Sequence, residues 1–431
     1  MTGAPPLGAA AAVWFVGLAL LAALAGWQRP ALAPCLLVVV DPFALTRYLG
    51  HTTITSFKVV LVGALVGLLI RGAAAWPRDR TVGGTLAVLA LVVLATAATI
   101  PHAAFRAPAL RETLKALEYL VAFVVGWWAA RGIRDATRLV GGACGTAVVL
   151  VTLDALRDYW HPQSGMWIDN VRFVRLAGHL EGPNQLAAWL GIALPAAIAE
   201  LAWWPAVLIV TAVGGAAVAL TFSRGGIAQT GIALIGTAWV RGTQRRRLPV
   251  AAAIGATVVA AGLALGAFAL ATRSHEGLSR VGSLSESVDY GGTGTRAILW
   301  HAAEEMGRTH PVLGVGAGNF ELLLQRYGAP PHVRTQANSL YLEAWADGGS
   351  VLLLATVLAA LVPSLLLLRA RGAPFALVIG FAGLALAVHG LIDDVTFYTK
   401  VGQLWWVLAG VAAASGGASA TSSPSGTPGT K

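Results

Sequence analysis

The sequence contains little charge. Asp, Glu, Lys and Arg make up only 12% of its 431 residues, whereas 56% are hydrophobic and the mean hydropathy is +0.70. A water-soluble core of this size would leave too little polar surface to cover it. Because lipid offers the backbone no hydrogen bonds, apolar runs that cross a bilayer form helices rather than open sheets. The composition therefore predicts an all-α fold, a polytopic bundle of transmembrane helices.

Cysteine is nearly absent as well. Cys35 and Cys144 lie far apart in apolar runs, without a second cysteine or histidine at ligand spacing, so neither a disulfide framework nor a zinc site is indicated. No phosphate-binding loop, dinucleotide fingerprint or nucleic-acid motif occurs, so no cofactor, metal or nucleic-acid partner is predicted. The first apolar run lacks a basic leader and a small-residue cleavage site, and we interpret it as a retained span rather than a signal peptide.

Long apolar runs follow one another along the chain and predict about 12 or 13 spans. The number depends on whether the short second run crosses the membrane. The runs fall at roughly 8–27, 31–45, 55–73, 82–99, 114–130, 137–157, 183–200, 205–222, 225–240, 248–271, 340–368, 373–391 and 401–415. No internal repeat or matched pair of broken helices is found, which argues against a secondary transporter.

Arginine-rich connectors orient these spans. They occur at 76–80, 131–138, 241–247 and 369–372 and alternate so that all lie on one side, which the positive-inside rule assigns to the cytoplasm. This accounts for the formal net charge of +10. The opposite side then receives the segments 158–180 and 272–336 and the short turns 223–225 and 392–400. The side of the N-terminus stays open, because it depends on whether 31–45 crosses.

The predicted organisation has four parts. Transmembrane helices with short loops occupy 1–271, a large external loop occupies 272–336, further transmembrane helices occupy 337–414, and 415–431 is a Ser-, Gly-, Thr- and Pro-rich disordered tail in the cytoplasm.

The external segments carry arginines, although short outer loops normally avoid them. They are Arg172, Arg175, Arg224, Arg273, Arg280, Arg296, Arg308, Arg326 and Arg334. A guanidinium forks onto phosphate through two parallel hydrogen bonds, so a converging group predicts a phosphate or pyrophosphate site. Arg224 is the sharpest case, since it stands between two tight apolar runs at the membrane surface. The alternative for any one of them is snorkelling to lipid headgroups.

Residues 295–306 predict an amphipathic helix inside the large external loop. Ile298, Leu299, Ala302, Ala303 and Met306 fall on one side of it. Arg296 and Trp300 are four residues apart, so the arginine can face a ligand while the indole lies at the membrane interface. An ordinary surface helix on lipid is the alternative. His310-Pro311 ends the helix, and the glycines of GVGAGNF at 314–320 permit tight turns close to a ligand or another helix.

Four motifs in this order resemble the O-antigen ligase and O-antigen polymerase superfamily of bacterial envelope glycosyltransferases. They are RLAGHLEGPNQLAAWL at 175–190, TFSRGG at 221–226, the Arg-Trp helix followed by THPVLGVGAGNF, and a polar patch leading into NSLYLEAWADGG. Together they cover roughly residues 175–350 and share one predicted side of the membrane.

The resemblance implies a metal-independent enzyme of the bacterial inner membrane, with its active site facing the periplasm. Such an enzyme takes a glycan from an undecaprenyl-pyrophosphate carrier and joins it to lipid A core (ligases) or to another lipid-linked repeat unit (polymerases). By motif match, Arg224 and Arg296 hold the pyrophosphate, and Arg175 and Asn184 line the same cavity. Fixed cations suit this reaction, because the leaving group gains negative charge.

The sequence departs from the family at the His-x-His-Asn pattern of ligases, where Gln336, Ala337, Asn338 and Ser339 stand instead. The amides and the hydroxyl can bind a sugar, but an amide cannot accept a proton at neutral pH. The proton acceptor therefore lies elsewhere. Its candidates are His332, Glu181, Asp393 and Asp394.

Other polar residues of these regions are assigned structural places. Glu343 and Asp347 are expected to be structural members of their helix, and Asp154 and His389 to pair with neighbouring helices or to line a pathway. The histidines at 179, 275, 301 and 310 are expected to be surface or capping residues.

The sequence thus predicts an O-antigen ligase-like glycosyltransferase with a polymerase as the alternative in the same superfamily. A lipid-linked glycan flippase or transporter is the alternative from another class, since outer arginines can also recruit an anionic substrate. The missing histidines keep a third alternative open, an inactive relative that scaffolds glycan assembly.

Overall fold

The computed structural model describes residues 8–49, 52–72, 79–159, 166–168, 171–173, 175–243, 293–331, 333–370 and 372–418. Helices dominate these ranges, which confirms the predicted all-α polytopic bundle. The helices are α1 Ala9–Gln28, α2 Leu32–Val40, α3 Ser56–Arg71, α4 Arg80–Thr99, α5 Arg106–Ala130, α6 Ala136–Tyr159, α7 Pro183–Glu200, α8 Trp204–Leu220, α9 Arg224–Thr243, α10 Thr293–Thr309, α11 Phe320–Leu323, α12 Leu340–Leu368, α13 Pro374–His389 and α14 Thr399–Ala418.

The remaining regular structure is short. Strand β1 (Thr46–Leu49) pairs antiparallel with β2 (Thr52–Thr55), and β3 (Met166–Ile168) pairs antiparallel with β4 (Val171–Phe173). Single 3₁₀ turns occur at Asp41–Phe43, Gly178–Leu180 and Leu324–Tyr327.

Each predicted apolar run coincides with a helix except 248–271, which lies outside the described residues together with the predicted boundary at 271/272. Within the described ranges, 5 helices are long and apolar enough to cross a membrane. These are α1, α4, α5, α6 and α12. Helix α14 extends to Ala418, four residues beyond the predicted end of the last transmembrane part.

The described helices that border the arginine-rich connectors meet at one end of the bundle, here called the connector end. Near the start of α4, Gly84 packs on Leu366, which lies near the end of α12. Arg241, near the end of α9, donates to the carbonyl oxygens of Ile198 and Leu201 at the end of α7. The positive-inside rule assigns this end to the cytoplasm. The opposite end is called the site end.

Helix α1 runs parallel to α3, and this fixes where the chain enters the bundle. Gly63 packs on Ala19 and Gly67 packs on Ala23, so positions advance together along both helices. Small residues at these positions let the two helix backbones approach closely. Because α3 ends at the connector end, α1 begins at the site end, and the short α2 with its 3₁₀ turn returns the chain there.

A small second core lies at the site end and supports α10. Leu299, Ala302, Ala303 and Met306 are fully buried in it, against residues of the 315–337 segment and Ala346 of α12. The amphipathic helix predicted for 295–306 is therefore confirmed. The assignment of Ile298 to its buried side is wrong, because that side chain is 39% exposed. The buried stripe starts one residue later, and Ile298 lies beside it.

Candidate functional site

The site end is organised around a buried aspartate in the connection between α13 and α14. Asp393 is only 2% exposed, and its Oδ2 accepts a hydrogen bond from Asn184 Nδ2. Its Oδ1 is buried and has no hydrogen-bond partner among the described residues. Burial raises the pKa of Asp393 above its usual range, and the nearby Arg296 guanidinium partly opposes that rise. Asp393 thus retains an unused acceptor in a place closed to bulk water.

Two predicted binding residues position this carboxylate. Arg175 Nε donates to the carbonyl oxygen of Thr221 at 2.7 Å, and Arg175 Nη2 donates to Asn184 Oδ1 at 2.9 Å. The Asn184 amide oxygen is therefore an acceptor, which leaves its nitrogen to donate to Asp393. The chain from Arg175 through Asn184 to Asp393 joins the end of α8, the start of α7 and the α13–α14 connection.

Arg296 and Trp300 present unpaired donors to the same region. Both side chains are half-buried on one face of α10, and Arg296 Nε and Trp300 Nε1 are buried atoms without a hydrogen-bond partner in the described part of the chain. The Arg296 charge acts on Asp393 and also on His389. The Trp300 indole nitrogen is enclosed by the packing around α10.

Arg224 is the first residue of α9 and lies at the same end of the bundle. It follows the 221–223 turn, in which Ser223 Oγ accepts from the Gly226 backbone N–H at 3.2 Å and so caps the new helix. A Cβ at Gly225 would collide with the His389 ring, so the start of α9 packs directly on the end of α13. The first turn of α9, which Arg224 begins, therefore lies near His389, on which the Arg296 charge also acts.

His389 has a defined hydrogen-bond partner that the sequence did not reveal. Gln229 Nε2 donates to the carbonyl oxygen of Ala188 at 3.0 Å, so its Oε1 is the acceptor that faces His389 Nδ1 at 2.7 Å. The imidazole proton then resides on Nδ1, and Nε2 is a lone-pair acceptor. His389 pairs with a neighbouring helix as expected.

The segment that replaces the family's histidine pattern is tied to the site connection by its backbone. Gln336 is buried, Asn338 adopts a left-handed backbone with φ of 51°, and Ser339 Oγ caps α12 by accepting from Leu342 N at 3.5 Å. Leu340 N donates to the carbonyl oxygen of Gly390 at 2.9 Å, three residues before Asp393. His332 lies outside the described residues.

Glu181 points to a different neighbour. Its carboxylate lies 3.7 Å from Lys400 Nζ at the start of α14, and Lys400 also donates to the carbonyl oxygen of His179. His179 in turn is exposed and pairs with Asp154 through Nδ1 at 2.7 Å. Glu181 directly follows the 3₁₀ turn and forms an ion pair with Lys400. Asp393 forms no ion pair within 4.0 Å among the described residues.

The glycine-rich loop contacts a helix rather than an open site. Gly314, Gly316 and Gly318 have positive φ, and the loop's backbone N–H groups converge on Asp347 of α12. Gly318, Asn319 and Phe320 donate to its carboxylate at 2.5, 3.2 and 2.9 Å. Glu343 likewise accepts from Ala337 N at 2.9 Å. Both acidic residues hold outer segments in place.

These features define a class: a many-helix membrane protein whose site end combines unpaired guanidinium and indole donors with a buried carboxylate. Residues 207–357 match the family model described as O-antigen ligase. This segment is therefore similar to an O-antigen ligase domain, which supports the resemblance of the chain to the O-antigen ligase and polymerase superfamily. Arg224, Arg296 and Trp300 lie within the matched segment. A search of curated proteins gave no match.

Proposed function

We propose that the protein transfers a glycan from an undecaprenyl-pyrophosphate carrier to the hydroxyl of an acceptor sugar, at the extracytoplasmic face of the membrane. The observation that carries this proposal is the set of buried atoms without hydrogen-bond partners on Asp393 and on α10, whose Arg296 charge acts on Asp393. Buried polar atoms nearly always have partners, so an unpaired set at one place indicates a ligand. Two donors, Arg296 Nε and Trp300 Nε1, and one acceptor, Asp393 Oδ1, complement a phosphate oxygen beside a hydroxyl.

The donor lipid is expected on the side of α9 and α10. Arg296 offers a permanent cation, and Arg224 starts α9, where the helix dipole also favours an anion. The first turn of α9 packs on the His389 ring at Gly225, and the Arg296 charge acts on the same imidazole. This arrangement supports binding of a diphosphate, whose negative charge grows as the glycosidic bond breaks.

Asp393 is the residue we assign as proton acceptor. The acceptor hydroxyl gives its proton to Asp393 Oδ1 while its oxygen bonds to the anomeric carbon. The bond from that carbon to the pyrophosphate oxygen breaks, and its electron pair leaves on the pyrophosphate. Asn184 holds the other carboxylate oxygen, and Arg175 holds Asn184, so both act as positioning residues. Gln336 and Asn338 are proposed to bind a sugar of the transferred glycan by hydrogen bonds, and Ser339 contributes through its cap of α12.

Reconstitution into vesicles with an undecaprenyl-pyrophosphate oligosaccharide tests the proposal. Released carrier and glycosylated acceptor are both measured. Arg296→Gln removes the cation beside the leaving group, and we expect a loss of roughly 10²–10³-fold in turnover. Arg308→Gln is the matched control, because Arg308 lies on the same helix but is exposed and pairs with Glu304 at 2.5 Å.

The same assay separates a transferase from a flippase. Failure of the wild-type protein to release carrier with any acceptor would remove the transferase proposal and leave a scaffold. Movement of the labelled donor across the vesicle membrane, lost in Arg296→Gln, would instead show a transporter.

A further inference from the structure

A cavity of about 190 Å³ lies beside Asp393 in the interior of the bundle. Its walls come from α4, α5, α12, α13 and α14 and from the α13–α14 connection, and none of its described lining residues belongs to α7, α9 or α10. Asp393 therefore lines this cavity, here called the inner chamber, and also lies within reach of the Arg296 charge, on what is here called the arginine side.

The charge of the inner chamber is opposite to that of the arginine side. Five carboxylates line it together with a single lysine, Lys115. That lysine is already engaged, since its Nζ lies 2.7 Å from Glu112 and donates to the carbonyl oxygen of Phe397 at 3.2 Å. A phosphate entering here would meet acidic side chains and a lysine already engaged by Glu112, so no described lining residue would compensate its charge. The inner chamber therefore does not suit the pyrophosphate of the donor.

The remaining lining is apolar and leaves room for one ring. Leu89, Leu352 and Leu386 contribute aliphatic surface, and Trp405 and Trp406 add indole rings. An engineered cavity of about 150 Å³ admits a benzene ring, so the inner chamber has the size of one six-membered sugar ring rather than of a chain. A divalent cation is not favoured, because no three acidic, histidine or cysteine side chains of the described residues converge to hold one.

We propose that the inner chamber binds the terminal ring of the acceptor and selects a neutral or amine-bearing sugar over an acidic or phosphorylated one. Its polar wall would place a ring hydroxyl beside Asp393, which lines the inner chamber and keeps one carboxylate oxygen without a hydrogen-bond partner among the described residues. The ring hydroxyl then meets the anomeric carbon of the donor beside this carboxylate, while the rest of the ring stays in the inner chamber. The assignment of the ring as acceptor rests on the proposed function.

Three methyl glycosides that differ only in charge provide the test: methyl glucoside, methyl glucosaminide and methyl glucuronide. Equilibrium dialysis with the full-length protein in detergent, without donor, measures their binding. We expect the glucuronide to bind at least about tenfold more weakly than the other two, because of like-charge repulsion. Glu112→Gln removes one lining charge and should narrow that difference.

Two size variants locate the binding. Ala360 lines the inner chamber, and Ala360→Leu fills part of it, so binding of the neutral and amino glycosides should weaken roughly tenfold. Leu354→Phe is the control, because Leu354 lies on the same helix, is 58% exposed and does not line the chamber.

Equal binding of all three glycosides, binding unaffected by Ala360→Leu, or no binding at all would overturn the proposal. Binding with the expected order, but without carrier release when the donor lipid is added, would leave the inner chamber established as a sugar site and remove the transferase function instead. Glycan transfer that proceeds unchanged in Ala360→Leu would keep the transferase function and remove the inner chamber as the acceptor site.

Discussion

Two buried aspartates at the site end differ in how completely their oxygens are used. Asp347 accepts three backbone N–H groups from the glycine-rich loop, on both of its oxygens. Asp393 accepts one side-chain N–H on Oδ2 and nothing on Oδ1 among the described residues. Both carboxylates are almost inaccessible, at 6% and 2% exposure.

The difference separates a structural role from a chemical one. A buried carboxylate that is fully hydrogen-bonded has its desolvation offset within the fold, and it fixes the segment that supplies its donors. One that is half satisfied retains a cost that only a ligand can remove. The family resemblance alone does not make this distinction, because both aspartates lie in polar stretches near the ends of predicted spans.

The largest expected effect is on turnover when Asp393 is neutralised. Asp393→Asn keeps the shape of the side chain and the contact with Asn184 but cannot accept a proton, so carrier release and product formation should fall by about 10²–10⁴-fold. Asp135→Asn is the control for loss of one carboxylate, since Asp135 is exposed at the connector end and pairs with Arg138 at 3.5 Å. A variant that folds and turns over within twofold of wild type would assign the proton to another group, with His389 Nε2 the next to test.

Asp347→Asn should act on stability rather than on chemistry. The amide nitrogen would face loop N–H groups that now donate to a charged oxygen, and a hydrogen bond to a charged group contributes roughly 1.5–3 kcal/mol. We expect a fall of roughly 5 °C in Tm, measured by intrinsic fluorescence in detergent, with turnover per folded molecule largely retained. Loss of turnover without loss of Tm would break the comparison, because it would give Asp347 a role in the reaction.

The sequence predicted the elements of this site where the signal is local. The stripe of Leu299, Ala302, Ala303 and Met306 predicts α10 through helical spacing alone, and His310-Pro311 marks its end. The arginine-rich connectors predict the orientation of the bundle. Their signal can be read from one sequence because it depends only on composition and on order along the chain. The structure brings the start of α9 and the Arg296 charge to the same end of α13, in line with the order of these connectors.

The pairings within the site were not predictable from one sequence. Asn184 and Asp393 are 209 residues apart, and Gln229 and His389 are 160 residues apart. Each pair depends on which helices are neighbours and on how far each helix is shifted along its axis relative to the other. The hydropathy of the sequence determines neither of these. Asp393 was one of several candidate proton acceptors on the sequence. The unused oxygen that distinguishes it from Glu181 and Asp347 is a property of packing.

The pH dependence of turnover should also reflect the protonation of Asp393, with a smaller effect than the Asp393→Asn substitution. Burial raises the pKa of Asp393, so the carboxylate that accepts the proton is lost at a higher pH than for an ordinary aspartate. Turnover should therefore decline as pH falls through this raised pKa, by about tenfold per pH unit below it. The residual activity of Asp393→Asn should lack this acid limb. A limb centred at or below about pH 4, the ordinary value for aspartate, would contradict the assignment.

The smallest effect tests whether the unpaired donors belong to the ligand site. Trp300→Phe keeps an aromatic ring on α10 but removes the Nε1–H donor, which has no partner among the described residues. If that N–H binds a phosphate oxygen of the donor, its loss costs about 1 kcal/mol, or roughly fivefold in carrier release, while Tm is unchanged or rises. Trp203→Phe is the matched control, because Trp203 is 66% exposed next to the start of α8. A fall in Tm with unchanged turnover would make Trp300 a packing residue like its neighbours, and only Arg296 and Asp393 would then distinguish the site from the fully paired region around Asp347.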